Sequence, residues 1–219
     1  MAATKHTFIV EHLDPELEEW QALEYKTIHR ECASSGATFL LSGLADPTNI
    51  SKHLDLPPSA LQSQSVETLF ATPEAKRKVC LLDPKGEKDL SPTDGQDFDV
   101  FLFGGILGDD PPRDRTGELR RLGFTGRRLG PEQMTTDTAA RVTRIVVQEG
   151  KRLDEIAYVD RPDVELPLTA EGGAAAAHPN ESVSMPFKYV RGEDGKPIMP
   201  EGMVKLLVDD LDKGISDLL

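Results

Sequence analysis

The stretch Phe98–Thr116, FDVFLFGGILGDDPPRDRT, decides the fold. Phe98, Val100, Phe101, Leu102 and Phe103 make a short apolar run of aromatic and β-branched types, the composition of a strand buried on both faces of a parallel sheet. The run stops at Gly104 and Gly105, and Gly108, Asp109, Asp110, two prolines and the cluster Arg113, Asp114, Arg115 follow at once. Glycines there could simply turn the chain, but two consecutive φ-locked prolines stiffen what a plain connector would leave loose. A stiffened loop suits a site that must hold carboxylates in one geometry. Polar groups gathered past the carboxyl end of a buried strand occupy the place where open α/β sheets bind ligands.

Working outward, the chain alternates strand and helix signals. Thr7–Val10 is a first β-prone run, followed by a helix opening at Asp14 and Pro15, with Asp14 as its N-cap and Leu13, Leu17, Trp20, Leu23, Thr27 and Ile28 at helical spacing. Gly36 ends that helix and Ala37–Leu41 reads as a second strand. Residues 45–65, rich in proline and serine, read as loop with a short helix near Ala60. Lys78–Asp83, KVCLLD, is a third strand, closing on Asp83 and Pro84. Beyond the central loop, Arg115–Leu122 reads as a short helix and Phe124–Leu129 as a strand. Gly130–Thr138, GPEQMTTDT, then feeds a helix to about Gln148, with Thr135, Thr136 and Asp137 crowding its first turn, where amide donors and the helix dipole favour acceptors. Glu155–Asp160 reads as a last parallel-type strand. Residues 169–182, TAEGGAAAAHPNES, read as a flexible insert. The tail, 185–219, starts with the extended MPFKYV, turns at Gly192–Gly195 and ends in a helix from Pro200 to about Leu211 with Met203, Leu206 and Leu207 as its apolar stripe.

Composition bounds the function. A chain of 219 residues with 38% hydrophobic content supports one substantial core, so a single domain over 1–219 is expected. The polar N-terminus and the lack of long apolar runs predict a soluble, cytoplasmic protein, and Cys32 and Cys80, on a helical and a strand pattern, read as free thiols. There are 38 acidic against 25 basic residues, and Glu11–Glu31 alone holds seven acids against Lys26 and Arg30. Such a surface repels phosphate backbones, which argues against direct nucleic-acid binding and for a basic protein partner.

Three segments, KVCLLDP, FGGILGDDPPRDRT and RRLGPEQMTTDTA, together with the IVEH start, MPFKYV and KPIMPEGM, resemble the fungal members of the SPOUT methyltransferase superfamily that methylate an arginine in a small-subunit ribosomal protein. The resemblance runs over most of the chain. It implies a parallel-sheet α/β fold with a trefoil knot, whereas sequence patterning alone leads to an ordinary doubly wound sheet. It also implies S-adenosylmethionine as cofactor, gripped by the backbone of Leu81, Leu82, Asp83 and Pro84, of Gly104, Gly105, Ile106 and Gly108, and of Leu129, Met134, Thr135 and Thr136. Leu82, Ile106, Leu129 and Met134 would supply the apolar walls. The interior Ala/Gly insert departs from shorter relatives. The superfamily commonly dimerises, but the relatives this chain resembles act as monomers.

Transfer of a methyl group to arginine requires an immobilised guanidinium, and carboxylates match its fork. Glu11, Asp109, Asp110 and Asp137 are the catalytic candidates. A guanidinium pKa above about 12 makes positioning dominate, with the proton leaving late. No metal is required, and His12 beside Glu11 reads as structural because no clustered His or Cys stands at metal spacing. A SPOUT RNA methyltransferase and a non-catalytic ribosome assembly factor, with Arg113, Asp114 and Arg115 as a self-paired rim, are the rival functions.

Overall fold

The computed structural model describes residues 6–14, 16–46, 54–105, 114, 116–166 and 182–216. Five parallel strands form the central sheet: β1 (Thr7–His12), β2 (Thr38–Ser42), β3 (Val79–Leu82), β4 (Val100–Gly105) and β5 (Thr125–Arg127). Their order is β2-β1-β4-β3-β5. β4 is therefore inserted between β1 and β3, and every strand points its carboxyl end to the same edge.

The unbroken apolar runs follow from burial on both faces. Alternation assigns Phe8 and Val10 of β1, Cys80 and Leu82 of β3, and Phe101 and Phe103 of β4 to one cluster, while Ile9, Val79, Leu81 and Leu102 join a second. The first cluster is closed by α1 (Glu19–Ser34), through Tyr25, Ile28 and Cys32, and by the helix Thr136–Glu149, through Ala140, Val142, Ile145 and Val146. The second is closed by Val66 of α2 (Val66–Leu69), by Leu119 and by Phe124. Short helices α3 (Pro73–Lys76), α4 (Asp94–Asp97) and α5 (Thr116–Arg121) fill the connections, and the long helix 136–149 is α6.

Several expectations are corrected. α1 begins at Glu19, not at Asp14: the Gln21 side chain accepts from the Glu18 amide at 2.9 Å and donates to Asp14 Oδ2 at 2.9 Å, so Asp14 holds the loop before the helix. Its buried face is Gln21, Tyr25, Ile28 and Cys32 with Glu24 and Thr27, while Leu17, Trp20 and Leu23 are only half-buried. β4 does not stop at the glycines but pairs through them, Gly104 opposite Glu11 and Gly105 opposite His12. The region near Ala60 forms a single 3-10 turn, Pro58–Ala60.

The segment near Asp160 does not join the parallel sheet. β6 (Tyr158–Asp160) pairs antiparallel with β9 (Lys188–Val190), and β7 (Asp163–Glu165) with β8 (Ser182–Ser184). Three half-exposed residues cannot supply the two buried faces a parallel strand requires. The chain closes with α7 (Met203–Ser216), whose Met203, Leu206 and Val208 are buried while Leu207 is half-buried. Cys32 and Cys80 are free and buried, and burial pushes both thiols up to about 12. Residues 167–181, most of the expected insert, lie outside the described residues, as do 106–113, part of the loops to which the knot is assigned. Among the described residues no helix is long and apolar enough to cross a membrane.

Candidate functional site

The carboxyl edge of the sheet brings together most of the residues singled out from the sequence. Glu11 and His12 end β1 beside Gly104 and Gly105 of β4, Leu82 and Asp83 end β3, and β5 leads into residues 128–135 and the first turn of α6. Ile106, Gly108, Asp109 and Asp110 lie outside the described residues. Leu82, Leu129 and Met134 belong to the larger of the two apolar clusters. Leu81 points to the opposite face, into the second cluster, so only its backbone is near this edge.

After β3 the chain folds back tightly, with the Gly86 amide donating to the Asp83 carbonyl at 2.8 Å. A Cβ on Gly86 would lie 2.9 Å from the Arg127 carbonyl carbon and 3.0 Å from the Arg128 amide nitrogen, so only glycine lets this turn lie against the exit of β5. Asp83 is held from below. Arg120 of α5 reaches both of its oxygens, and the Lys85 amide and Thr116 hydroxyl donate to Oδ1 at 3.0 and 3.2 Å. Burial would raise the Asp83 carboxyl, but these donors outweigh it and the group titrates below its ordinary value. Its side chain is thus spent on architecture, and its backbone is what remains for a ligand. Asp114 pairs with Lys85 at 2.6 Å and with Arg120 at 3.0 Å; Arg113 and Arg115, the other two residues of the expected rim, lie outside the described residues.

Glu11 and His12, adjacent on β1, face opposite sides. Glu11 is buried, accepts from the Ser42 hydroxyl and accepts from the Val66 amide at 3.2 Å, capping the start of α2. Its carboxyl fits because Gly43 has no Cβ, which would fall 3.1 Å from it. Burial raises its pKa against those two donors. His12 turns to α1, where Nδ1 meets the Tyr25 hydroxyl at 3.1 Å, while Nε2 has no partner. Burial lowers its pKa, with Asp14 opposing, so the ring is neutral near pH 7.

Asp137 sits in the first turn of α6, 1% exposed, with Oδ2 accepting from Arg141 Nη1 at 3.2 Å and Oδ1 without a partner. Arg141 is shared with Glu31 Oε1, which it meets at 2.5 and 3.0 Å. Facing Asp137 from α1 is Glu24, also 1% exposed, neither of whose oxygens has a partner. Burial is the main cause that lifts both carboxyls above their ordinary range, and Asp137 adds to the rise at Glu24. The Thr135 hydroxyl lies close to Asp137, and both the hydroxyl and the backbone amide of Thr136 lie close to Glu24 and favour its ionised form, without reaching normal hydrogen-bond geometry. Tyr189 of β9 is brought beside this pair because the Lys188 amide donates to the Gln133 carbonyl at 2.9 Å. Glu24, Arg120 and Tyr189 escape sequence reading; for Glu24 the available signal was the spacing of Tyr25, Ile28 and Cys32, which places residue 24 against the core. Among the described residues no group of three or more His, Cys, Asp or Glu could hold a metal ion.

The parallel sheet, with glycines, an apolar wall and buried carboxylates at its carboxyl edge, belongs to an α/β fold of SPOUT-like type, as its structural neighbours show. A Trm10 from Thermococcus kodakaraensis shares that fold at 19% identity, with a TM-score of 0.51 over 68% of this chain and 96% of its own. The description "Protein arginine N-methyltransferase SFM1-like" matches residues 7–214, and the chain belongs to that family. The Saccharomyces cerevisiae protein arginine N-methyltransferase SFM1 is 37% identical over 97% of this chain and 99% of its own length. The crystal structure of yeast SFM1 complexed with S-adenosylmethionine superposes with a TM-score of 0.77, covering 94% of this chain and 91% of the other.

Proposed function

We propose that this protein is an S-adenosylmethionine-dependent arginine N-methyltransferase whose substrate is a basic small-subunit ribosomal protein, acting as a cytoplasmic monomer with its cofactor loops closed in a trefoil knot. The observation that carries the reading is the whole-chain match to SFM1, joined to buried carboxylates at the sheet edge where a cofactor of this type fits.

The residues present fit the cofactor. Gly104 offers backbone without a Cβ, Leu82, Leu129 and Met134 offer an apolar wall, and the backbone of Asp83, Pro84, Thr135 and Thr136 can hold its polar atoms. When bound, it supplies an electrophilic methyl group on a sulfonium. The protein's own task is to hold one guanidinium nitrogen in line with that methyl group and to keep water out. As the N–CH3 bond forms, one N–H proton leaves, because the methylated guanidinium keeps a single positive charge. Asp137 suits the holding role, having a free oxygen at the turn that follows residues 129–135, and Asp109 and Asp110 are assigned the same role. Glu11 fixes the end of β1.

A net charge of -13 favours capture of a basic protein over RNA. The turn that leads into the C-terminal helix lies against α1, which supports a monomer: a Cβ on Gly202 would touch Leu23 at 3.5 Å, and Arg30 pairs with Glu201 at 2.8 Å. Incubation with radiolabelled S-adenosylmethionine, small-subunit ribosomal proteins and total RNA tests the reading. Label in arginine of one basic protein is expected. Label in RNA would make it an RNA methyltransferase, and no transfer despite cofactor binding would make it an assembly factor.

A further inference from the structure

Four buried oxygens on three residues are left over by the architecture. They are both carboxylate oxygens of Glu24, Oδ1 of Asp137 and the hydroxyl of Tyr189, and each parent residue is 1% exposed. Native interiors rarely leave such atoms without partners, since each costs roughly 1–3 kcal/mol. Their chemistry is selective. Three are pure acceptors when ionised, and the fourth can accept. The cation already nearby does not answer them: Arg141 spends its donors on Glu31, on the other oxygen of Asp137 and on the Ile198 carbonyl. Asp137 and Glu31 thus share one guanidinium, and Glu24 has no part of it.

The cluster also lies where a substrate would be held. Glu24 is in the first half of α1, which leaves the sheet at the carboxyl end of β1; Asp137 opens α6; and Tyr189 is tied beside Gln133 and Met134. We propose that Glu24, Asp137 and Tyr189 form the subsite that receives the substrate's side-chain guanidinium, Glu24 taking it with both oxygens while Asp137 Oδ1 and the Tyr189 hydroxyl accept from the remaining nitrogens. The proposal rests on the arginine methyltransferase reading above and adds two residues to it. A planar fork of N–H donors matches two free oxygens on one carboxylate better than an ammonium does, which gives arginine over lysine.

The same geometry couples binding to a proton. Facing Asp137 in a buried site, with Arg141, Glu31, the Tyr189 hydroxyl and Thr136 as the other neighbours, the Glu24 carboxyl is held above its ordinary range, chiefly by burial. Arrival of a guanidinium favours its ionised form, so the proton is released to solvent. Rising pH therefore tightens guanidinium binding.

The test is calorimetric titration of the S-adenosylhomocysteine-loaded protein with N-acetyl-arginine amide in phosphate and in Tris. Wild type is expected to bind saturably, with enthalpies differing between the buffers by the heat of the released proton. Glu24→Gln and Tyr189→Phe are expected to bind the probe about tenfold or more weaker, the loss of a charge-assisted or neutral hydrogen bond, with unchanged affinity for S-adenosylhomocysteine. Glu24→Gln should also abolish the buffer dependence, which a merely structural acid pair would not do. Circular dichroism confirms folding, and Tyr189→Phe, which removes one oxygen, covers the case in which Glu24→Gln does not fold. Probe binding unchanged in both variants, a buffer-independent enthalpy in wild type, or no binding to wild type would overturn the subsite. Binding as expected without methylation of any arginine would instead overturn the proposed function and leave the subsite standing.

Discussion

Arg120 grips Asp83 with two nitrogens, Nε on Oδ2 and Nη2 on Oδ1, each at 2.6 Å. The same guanidinium meets both oxygens of Asp114 at 3.1 and 3.0 Å, so one side chain ties the turn after β3 to the start of α5. Position 120 therefore sets where one proposed cofactor loop sits, although it belongs to none. Arg120→Lys keeps the charge and loses the fork. A drop in stability of about 1–2 kcal/mol is expected from urea unfolding at pH 7. Asp83 titrates below its ordinary 3.8, so its contribution is present above that value and lost as pH falls through the folded-state pKa. In Arg120→Lys the acid limb of the stability profile should be shallower, and an unchanged limb would mean that the clamp holds no loop.

His12 gives a pH dependence of the opposite chemical type. Burial lowers its pKa from the ordinary 6.5, although Asp14 pulls it upward. The unfolded chain then binds a proton that the folded chain refuses, so stability contributed by the neutral ring is complete above about pH 6.5 and declines as pH falls below it. Replacement by asparagine, which stays uncharged, should flatten the slope of the urea midpoint between pH 7 and 5.5. A slope identical to wild type would assign it to other groups.

How much of this was readable beforehand depends on the kind of signal. The strands β1, β3 and β4 announced themselves because burial on both faces demands continuous apolar runs such as FLF and CLL, and Gly104 and Thr136 were found because they stand at strand ends and helix starts. Sheet order was not readable: nothing local in Val100–Gly105 says that it inserts between β1 and β3, since pairing partners are chosen by tertiary packing. Glu24 was missed for a related reason. A glutamate on a helix is ordinarily a solvated group, and only the contact between α1 and α6 makes this one buried. Tyr158–Asp160 was misassigned because three residues carry too little pattern to separate a ribbon from a parallel strand.

Gly86 is a backbone contact rather than a hinge. Its missing Cβ would press on the Arg127 carbonyl carbon and the Arg128 amide, and neither can move without pulling β5, whose Arg127 carbonyl accepts from the Asp83 amide at 2.8 Å. Gly86→Ala is expected to cost about 1–3 kcal/mol of stability and to weaken S-adenosylmethionine binding, because both the turn at 83–86 and the start of the 129–136 loop are displaced. Calorimetry in the presence of a chelator measures the second effect. Wild-type affinity in a folded Gly86→Ala chain would remove this turn from the cofactor site.

The two described carboxylates first singled out as catalytic, Glu11 and Asp137, should separate under amide substitution, because the structure employs them differently. Glu11 already accepts from Ser42 and from the first amide of α2, so Glu11→Gln chiefly weakens a cap and should lower stability by about 1 kcal/mol, with a modest effect on turnover. Asp137 has an oxygen to spare, and losing a charge-assisted bond worth about 1.5–3 kcal/mol in the transition state slows transfer roughly ten- to 150-fold. Affinity for S-adenosylhomocysteine should be unchanged in Asp137→Asn, since the proposed cofactor contacts there are backbone. Single-turnover rates with an arginine peptide, read beside calorimetry, decide the matter. If Asp137→Asn transfers as fast as wild type, or loses the cofactor rather than the rate, the holding role passes to another carboxylate.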